Sequence, residues 1–395
     1  MKSISIIGGG PSALLLASFL DESKYKVTVY EKNKTVGRKF LVAGDGGFNL
    51  THAESIEEMV MRYTPYRFLK NALLEFSNTD LINWLNEIGI PTFIGSSKRV
   101  YPNKDIKPIE VLNAILKVLE DKGVAIKCNK TWDGWTADNA LSFEDDTRAK
   151  SDYVVFALGG GSWKVTGSDG AWLELLGESG TKVKAFEPSN CAYQVNWDEK
   201  FMNKFGGSPL KNIAISCGGK SQKGEVVITK FGLEGNAIYA LSPEIRADLN
   251  KNKSSDIYID LKPSLSIEAI QRKIEKSKLT KLTDVLKVDL KLSPVQLGLV
   301  KKFVSKDDFT DIKKLSSQLK NLKIELVGFE QLDKAISTVG GVSLNAVNEN
   351  FELKTITNYF CIGEMLNWDA PTGGYLLQGC FSMGVSLARF LNSKK

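Results

Sequence analysis

A strand that stops at three consecutive glycines and restarts as an apolar helix constrains this chain more than any other feature. Ile4–Ile7 is β-branched and apolar, as a strand buried on both faces requires. Gly8-Gly9-Gly10 breaks it, and Pro11 stands where a first helical residue tolerates a missing N–H. Ser12 to Leu20 is almost wholly apolar. The spacing Gly8-x-Gly10-x-x-Ala13 then acquires a meaning. Gly8 permits a tight turn, Gly10 lets a pyrophosphate approach the backbone, and Ala13 is small enough for helix and strand to pack closely. The helix start at Pro11 and Ser12 presents free N–H groups and a positive dipole end to phosphate. Lys26–Glu31 is expected as the next strand, with Glu31 at its end, 18 residues after Ala13, and Lys32 beyond it. An acid there accepts hydrogen bonds from a ribose 2′-hydroxyl and disfavours a 2′-phosphate, so FAD or NAD is expected.

The next glycines favour the flavin. Gly37-Arg38-Lys39 is followed by Gly44-Asp45-Gly46-Gly47-Phe48-Asn49-Leu50-Thr51-His52. A nicotinamide enzyme has no need of a second glycine-rich loop so close by. A flavin does, because its ribityl and ring half must lie along backbone. Arg38 or Lys39 can neutralise phosphate or substrate charge. Asp152–Leu158 reads as a buried strand closed by Gly159-Gly160-Gly161, returning the chain to the cofactor at Leu158 and Gly159. Cys361-Ile362-Gly363-Glu364 and Asp369-Ala370-Pro371-Thr372-Gly373-Gly374-Tyr375 precede a last helix running to Leu391. Its start would aim N–H groups at the negative charge of a reduced flavin.

Between these anchors the pattern divides. Tyr66–Leu119 is mostly helical, interrupted by Pro91 and a turn at Ser96–Pro102. Val124–Cys128, Thr131–Thr136 and Ala140–Glu144 read as a β-meander. From Asn190 strand-like pieces follow at Cys191–Asn196, Asn212–Cys217, Glu225–Lys230 and Asp256–Leu261. A lysine-rich helical stretch, Ile267–Leu319, has the pattern of a separate bundle or lid. Lys230-Phe231-Gly232-Leu233-Glu234-Gly235-Asn236 reads as strand, turn and helix start, either facing substrate or purely structural. The expected architecture is α/β: a dinucleotide-binding Rossmann domain with a meander over residues 1–189 and 337–395, interrupted by a mixed β/α insertion at 190–336.

Composition removes other classes. With 43% hydrophobic and 25% charged residues the chain is an ordinary globular one, not disordered or collagen-like. Five dispersed cysteines without a C-x-x-C pair argue against a disulfide framework, a zinc site or a dithiol centre, so no metal is expected. A single histidine, His52, excludes chemistry that needs two. Ala13–Ala17, the apolar run worth testing as a span, is far too short, and the start runs straight into glycines, so no membrane span or signal peptide is expected and the location is read as cytoplasmic. The net charge of +6 reads as solvated lysine faces, with nucleic acid disfavoured as a partner.

The stretches IIGGGPSALLLA, GRKFLVAGDGGFNLTH, VVFALGGGSW, KFGLEGNAI, STVGGVSL and CIGEMLNWDAPTGGYLLQGCFSMG run from one end to the other. They resemble the glutathione-reductase-like FAD fold and, more narrowly, the BaiN-type, aminoacetone-oxidase-like flavoproteins. Where most of that family has arginine and cysteine, this chain has Gly47 and Phe48. The resemblance implies that Gly8–Ala13 hold the pyrophosphate, Glu31 the adenosine ribose and the Trp132 backbone the adenine. It implies that Arg38, Lys39, Gly46, Gly47 and Asn49 approach the ribityl and ring, and that Glu364 and Thr372–Tyr375 close the site. The expected function is an FAD-dependent oxidoreductase moving a hydride between flavin N5 and a small organic substrate or NAD(P)H, the latter a diffusible donor. The alternatives are an amine oxidase using dioxygen, an RNA-binding or RNA-modifying flavoprotein, and a non-catalytic FAD binder. Asn49, Thr51, His52, Asp369 and Tyr375 are the candidate catalytic groups. The oligomeric state is left open.

Overall fold

The structure is a computed structural model and describes residues 1–42 and 47–394. The chain forms two compact units. One comprises Met1–Pro188 and the chain from Leu332 onward, and the other Ser189–Gln331.

The first unit is built on a five-stranded sheet in the order Tyr359–Cys361, Tyr153–Phe156, Lys2–Ile7, Tyr25–Tyr30, Ala125–Lys127. Every pairing in it is parallel. Parallel sheets are covered on both faces, and Ile4, Ile6, Val29, Val155, Phe156 and Phe360 are accordingly buried. The helix Pro11–Phe19 crosses the last helix, Tyr375–Ser393, at very short range. A Cβ on Gly384 would lie 2.5 Å from the Ser12 carbonyl oxygen, so only glycine allows that approach. The crossing therefore sets the opening turn against the middle of the last helix.

Two expectations need correction here. Val124–Cys128 is not part of the meander: Ala125–Lys127 is the outer strand of the parallel sheet, with Thr28 opposite Ala125. All three of its side chains are exposed, so hydrophobic pattern could not assign it. The meander is Trp132–Trp135, Leu141–Phe143 and Arg148–Ala149. Nor is Ser96–Pro102 only a turn. Arg99–Pro102 is the middle strand of a three-stranded antiparallel sheet, between Thr51–His52 and Thr92–Ile94.

The second unit holds a seven-stranded sheet, antiparallel at every pairing. The lysine-rich helices do not form a separate bundle. They pack on this sheet through buried Ile270, Leu286, Leu299, Leu315 and Leu319, and Leu261 N–H donates to the Leu319 carbonyl at 2.9 Å. Their lysines are the solvated faces. After Gly232–Glu234, itself a strand, the expected helix is only the four-residue turn Asn236–Tyr239, too short to present a helix N-terminus to a ligand.

Candidate functional site

Four loops leave the carboxyl ends of adjacent parallel strands: Gly8 after Lys2–Ile7, Glu31 after Tyr25–Tyr30, Ala157–Gly159 after Tyr153–Phe156, and Ile362–Gly363 after Tyr359–Cys361. Ligands of open α/β sheets bind at this edge. The turn is built by contacts that glycine alone permits. Gly8 has φ +101°, donates to the Tyr30 carbonyl at 2.7 Å, and would carry a Cβ 2.4 Å from the Ala157 carbonyl oxygen. Gly9 N–H donates to Glu31 Oε2 at 2.8 Å. Glu31 Oε1 accepts from Asn33 N–H at 2.8 Å and from its Nδ2 at 2.7 Å. Each carboxylate oxygen has more than one acceptor site, so Glu31 can still receive a hydroxyl.

Gly10 differs from its neighbours. A Cβ there would meet nothing within 4 Å. It caps the Pro11–Phe19 helix without any side-chain hydrogen bond, and Pro11 has no N–H to offer. The start of this helix thus leaves open space beside Gly10, as a diphosphate held at a helix N-terminus requires. By this test the residues present fit a dinucleotide.

The charged candidates around the turn have partners. Lys32 pairs with Asp169 at 2.8 Å. Arg38 donates to Asn33 Oδ1 at 3.1 Å and to the Val165 carbonyl at 2.8 Å. Lys39 Nζ lies 2.9 Å from Glu364 Oε2 and 3.2 Å from Ser162 Oγ, while Glu364 Oε1 also accepts from Thr338 N–H at 3.1 Å. Lys39, expected with Arg38 to offset phosphate or substrate charge, is thus paired with Glu364. Trp132 is buried on the Trp132–Trp135 strand with its indole N–H unpartnered. Just before it, Lys130 N–H donates to the Glu31 carbonyl and Asn129 N–H to the Asn33 carbonyl, which seats this segment beside Glu31. Leu158 backs onto Gly8, and the Gly159 carbonyl accepts from Trp172 Nε1 at 3.2 Å. Gly363 touches Ser12: its Cβ would be 2.4 Å from Ser12 Oγ. Gly46 lies outside the described residues.

The catalytic candidates gather around the three-stranded sheet. Thr51 is fully buried and its hydroxyl donates to Gln378 Oε1 at 2.7 Å, so it cannot serve a substrate. His52 is half-buried; Nε2 lies 3.2 Å from the Ser97 carbonyl and Nδ1 accepts from Glu54 N–H at 3.3 Å. Both ring nitrogens are engaged by backbone, which removes it as a proton carrier. Burial lowers its pKa; Glu54 and the Ser97 contact act upward, Arg62 and Arg99 downward. Tyr375 stacks on His52 with ring centres 5.1 Å apart. Its phenol is bonded to Glu54, and burial with that carboxylate pushes its pKa far up. Asp369 is buried, and its backbone exchanges two 2.8 Å hydrogen bonds with Thr64. Asn49 is half-buried behind the exposed Gly47, Thr372 is half-buried, and Gly373 and Gly374 are buried beneath it. Gly374 caps the last helix in the left-handed region without a side-chain cap, pressed against the Thr51 backbone. The thiol of Cys380, at the back of this helix, is pushed up to about 12 by burial and is inert.

Sequence reasoning missed Glu54, Arg62, Arg99 and Tyr101. Arg62 grips Glu54 through Nε at 3.1 Å and a terminal nitrogen at 2.9 Å. Burial raises the Glu54 pKa, but the hydrogen bonds from Arg62 and Tyr375 overcome it and leave it lowered. The alternation in Arg99-Val100-Tyr101-Pro102 was the available signal, since it marks a strand with one buried face.

Comparison with known proteins follows this geometry. A 3-dehydro-bile acid delta(4,6)-reductase of Clostridium scindens is 24% identical over 414 residues, covering 98% of each chain. A ribosomal RNA dihydrouridine synthase of Haemophilus influenzae is 24% identical over 400 residues, covering 97% of this chain and 96% of its own. Among solved structures, a 3-ketosteroid-delta4-(5alpha)-dehydrogenase of Rhodococcus jostii superposes with a TM-score of 0.50 at 13% identity, covering 98% of this chain and 97% of its own, and shares the fold. The HI0933-like protein Rossmann domain matches residues 2–390. With the opening turn, the acid at Glu31 and the strand-end loops in one place, the chain belongs to the HI0933-like FAD Rossmann family and is a flavin-dependent oxidoreductase.

Proposed function

We propose that this protein reduces a carbon–carbon double bond conjugated to a carbonyl group in a small organic substrate. The observation that carries the site is the open helix start at Gly10, set at the same sheet edge as Glu31 and Gly363. In this reading the Ser12 and Ala13 amides hold the diphosphate, Glu31 takes the ribose hydroxyls, and the segment ending at Trp132 borders the adenine. Gly47, Asn49 and Thr372–Tyr375 flank the ring. Reduced FAD, when bound, supplies a hydride from N5. The chain's own part is orientation and charge: Lys39 and Glu364 neutralise each other beside the ring, and the last helix directs its positive end there.

The substrate class is supported by the names of the relatives. A bile acid delta(4,6)-reductase and a dihydrouridine synthase both saturate a double bond conjugated to a carbonyl. NAD(P)H is proposed as a diffusible donor reaching the ring directly, because the sheet of the second unit is antiparallel throughout and is not the frame of a second dinucleotide fold.

A second reading places the double bond in a uracil of RNA, and the Haemophilus relative favours it. Some lysines of the second unit are paired within it, Lys320 with Asp260 and Lys323 with Asp256 at 2.6 Å each and Lys302 with Asp198, whereas others such as Lys273, Lys287, Lys301 and Lys313 lie exposed, where a phosphate backbone could meet them.

The test is anaerobic reduction of the purified protein by NADH or NADPH, then mixing with cyclic enones, a steroid dienone or a uridine-containing RNA. Reoxidation of the flavin with a product heavier by two hydrogens is the expected result for an enone or dienone. Reduction of the RNA alone would select the second reading. A colourless protein that FAD cannot reconstitute, or one reoxidised by dioxygen while every acceptor survives, would overturn both.

A further inference from the structure

We infer that Arg99 binds the carbonyl oxygen of the substrate, with the planar part of the molecule lying on the Tyr101–Phe93 aromatic pair. This rests on the enone-reductase reading. Arg99 lies opposite His52, and Tyr101 opposite Phe93, in the three-stranded sheet. Directly opposed residues, and residues two apart, share a face. His52, Arg99, Tyr101 and Phe93 therefore line one side. Thr51 and Val100 line the other, and both are fully buried.

Three contacts show what the first side looks onto. A Cβ on Gly373 would lie 3.5 Å from Arg99 Nε, so the guanidinium sits over the glycine pair that opens the last helix. Tyr375 covers His52 at 5.1 Å. A Cβ on Gly47 would lie 3.1 Å from the Tyr101 ring. These are the segments placed beside the flavin ring above, so this side of the sheet is a wall of the same site.

The chemistry of that wall is unusual for a protein surface. The Arg99 guanidinium is half-buried and has no hydrogen bond or ion pair among the described residues. Glu54, which follows His52 by two residues, is held by Arg62 and Tyr375. An unpaired guanidinium in a partly desolvated place is a strong receptor for an oxygen gaining negative charge. Hydride addition to the β-carbon moves the electron pair of the double bond onto the carbonyl oxygen, and a proton from solvent then completes the α-carbon. Charge thus develops at the atom Arg99 would hold. Beside it, Tyr101 and Phe93 stack at 5.5 Å and 24°, and Phe93 remains exposed. These rings supply an apolar shelf for a planar substrate. The absence of a side chain at Gly47 is what lets Tyr101 lie there, since any larger residue would meet its ring.

The experiment compares the wild type, Arg99→Gln, Arg99→Lys and Tyr101→Ala. The first readout is binding of 4-nitrophenol to the oxidised protein, as a mimic of a planar enolate, followed by its absorbance shift. The second is single-turnover reoxidation of NAD(P)H-reduced protein by cyclohexenone, which carries no carboxylate. Flavin content and melting temperature are recorded for each variant. Arg99→Gln is expected to weaken phenolate binding and slow reoxidation by about tenfold or more, with flavin content and the rate of reduction retained. Arg99→Lys should recover part of the phenolate affinity, because charge survives without the fork. Tyr101→Ala should weaken phenolate binding and slow reoxidation by cyclohexenone, with flavin content retained. If wild type and Arg99→Gln bind phenolate and turn over cyclohexenone alike, the inference is wrong while the reductase reading stands. A loss confined to carboxylate-bearing acceptors would also overturn it. Failure of the wild type with every enone would instead remove the reductase reading itself.

Discussion

Glu54 receives the Tyr375 phenol while both of its oxygens hold Arg62, so one buried carboxylate ties the strand Thr51–His52 to the start of the last helix. Tyr63 completes the tie by donating its hydroxyl to the Tyr375 carbonyl at 2.7 Å. Removing the charge should loosen the wall of the site. Glu54→Gln is expected to cost about 2 kcal/mol and Tyr375→Phe about 1 kcal/mol. Urea unfolding with fluorescence detection measures both. Near-zero effects would mean that the cluster is solvated rather than structural.

The same cluster makes stability depend on pH in a defined sense. The native state holds His52 below its ordinary value of 6.5, so the unfolded chain binds more protons just beneath that pH. Stability should therefore fall as pH drops through 6.5. Glu54 is lowered from its ordinary 4.5, so its contribution is present above 4.5 and is lost on further acidification through the native value. Urea midpoints measured from pH 8 down to pH 4 should decline in these two stages. In His52→Gln the upper stage should vanish and the lower one persist; an unchanged upper stage would assign it to another group.

The opening turn offers a cleaner separation of fold from ligand. Gly8→Ala puts a methyl group 2.4 Å from the Ala157 carbonyl oxygen at φ +101°, and is expected to destabilise the protein by about 3 kcal/mol or more. Gly10→Ala meets no protein atom within 4 Å. It should cost less than about 1 kcal/mol yet weaken FAD by about tenfold or more, because the methyl group enters the space given to the diphosphate. Reconstitution with FAD followed by flavin fluorescence checks the affinity. Normal FAD binding by a folded Gly10→Ala protein would move the diphosphate elsewhere.

What could be read in advance follows from how locally each feature is encoded. Gly8, Gly10, Ala13 and Glu31 stand within one strand–helix–strand unit, and each answers a backbone requirement that nearby sequence reveals. Ala125–Lys127 could not be read that way. It is three exposed residues whose membership of the parallel sheet is decided by Thr28–Tyr30 alongside. The Glu54–Arg62–Tyr375 cluster joins residues from opposite ends of the chain, so no local pattern reveals it. Arg99 was hidden for a related reason. A guanidinium without a partner among the described residues is visible only once those residues are folded around it.

Thr51 gives the sharpest test of a candidate that the fold has reassigned. Its position beside His52 suggested chemistry, but its hydroxyl donates to Gln378, whose Nε2 in turn donates to the Phe76 carbonyl at 3.1 Å and approaches Ser382 Oγ at 3.0 Å. Ser382 itself donates to the same carbonyl at 2.7 Å. This buried network fastens the last helix to the end of the helix Tyr66–Glu75. Thr51→Val keeps the shape and leaves the Gln378 oxygen without its donor, at an expected cost of about 1–3 kcal/mol. The rate at which reduced flavin passes its hydride to an enone should stay within about twofold of wild type, since nothing on the reacting side of the sheet has changed. Denaturant titration and single-turnover mixing, run on the same preparation, separate the two effects. A stable variant with a collapsed transfer rate would return Thr51 to the catalytic groups.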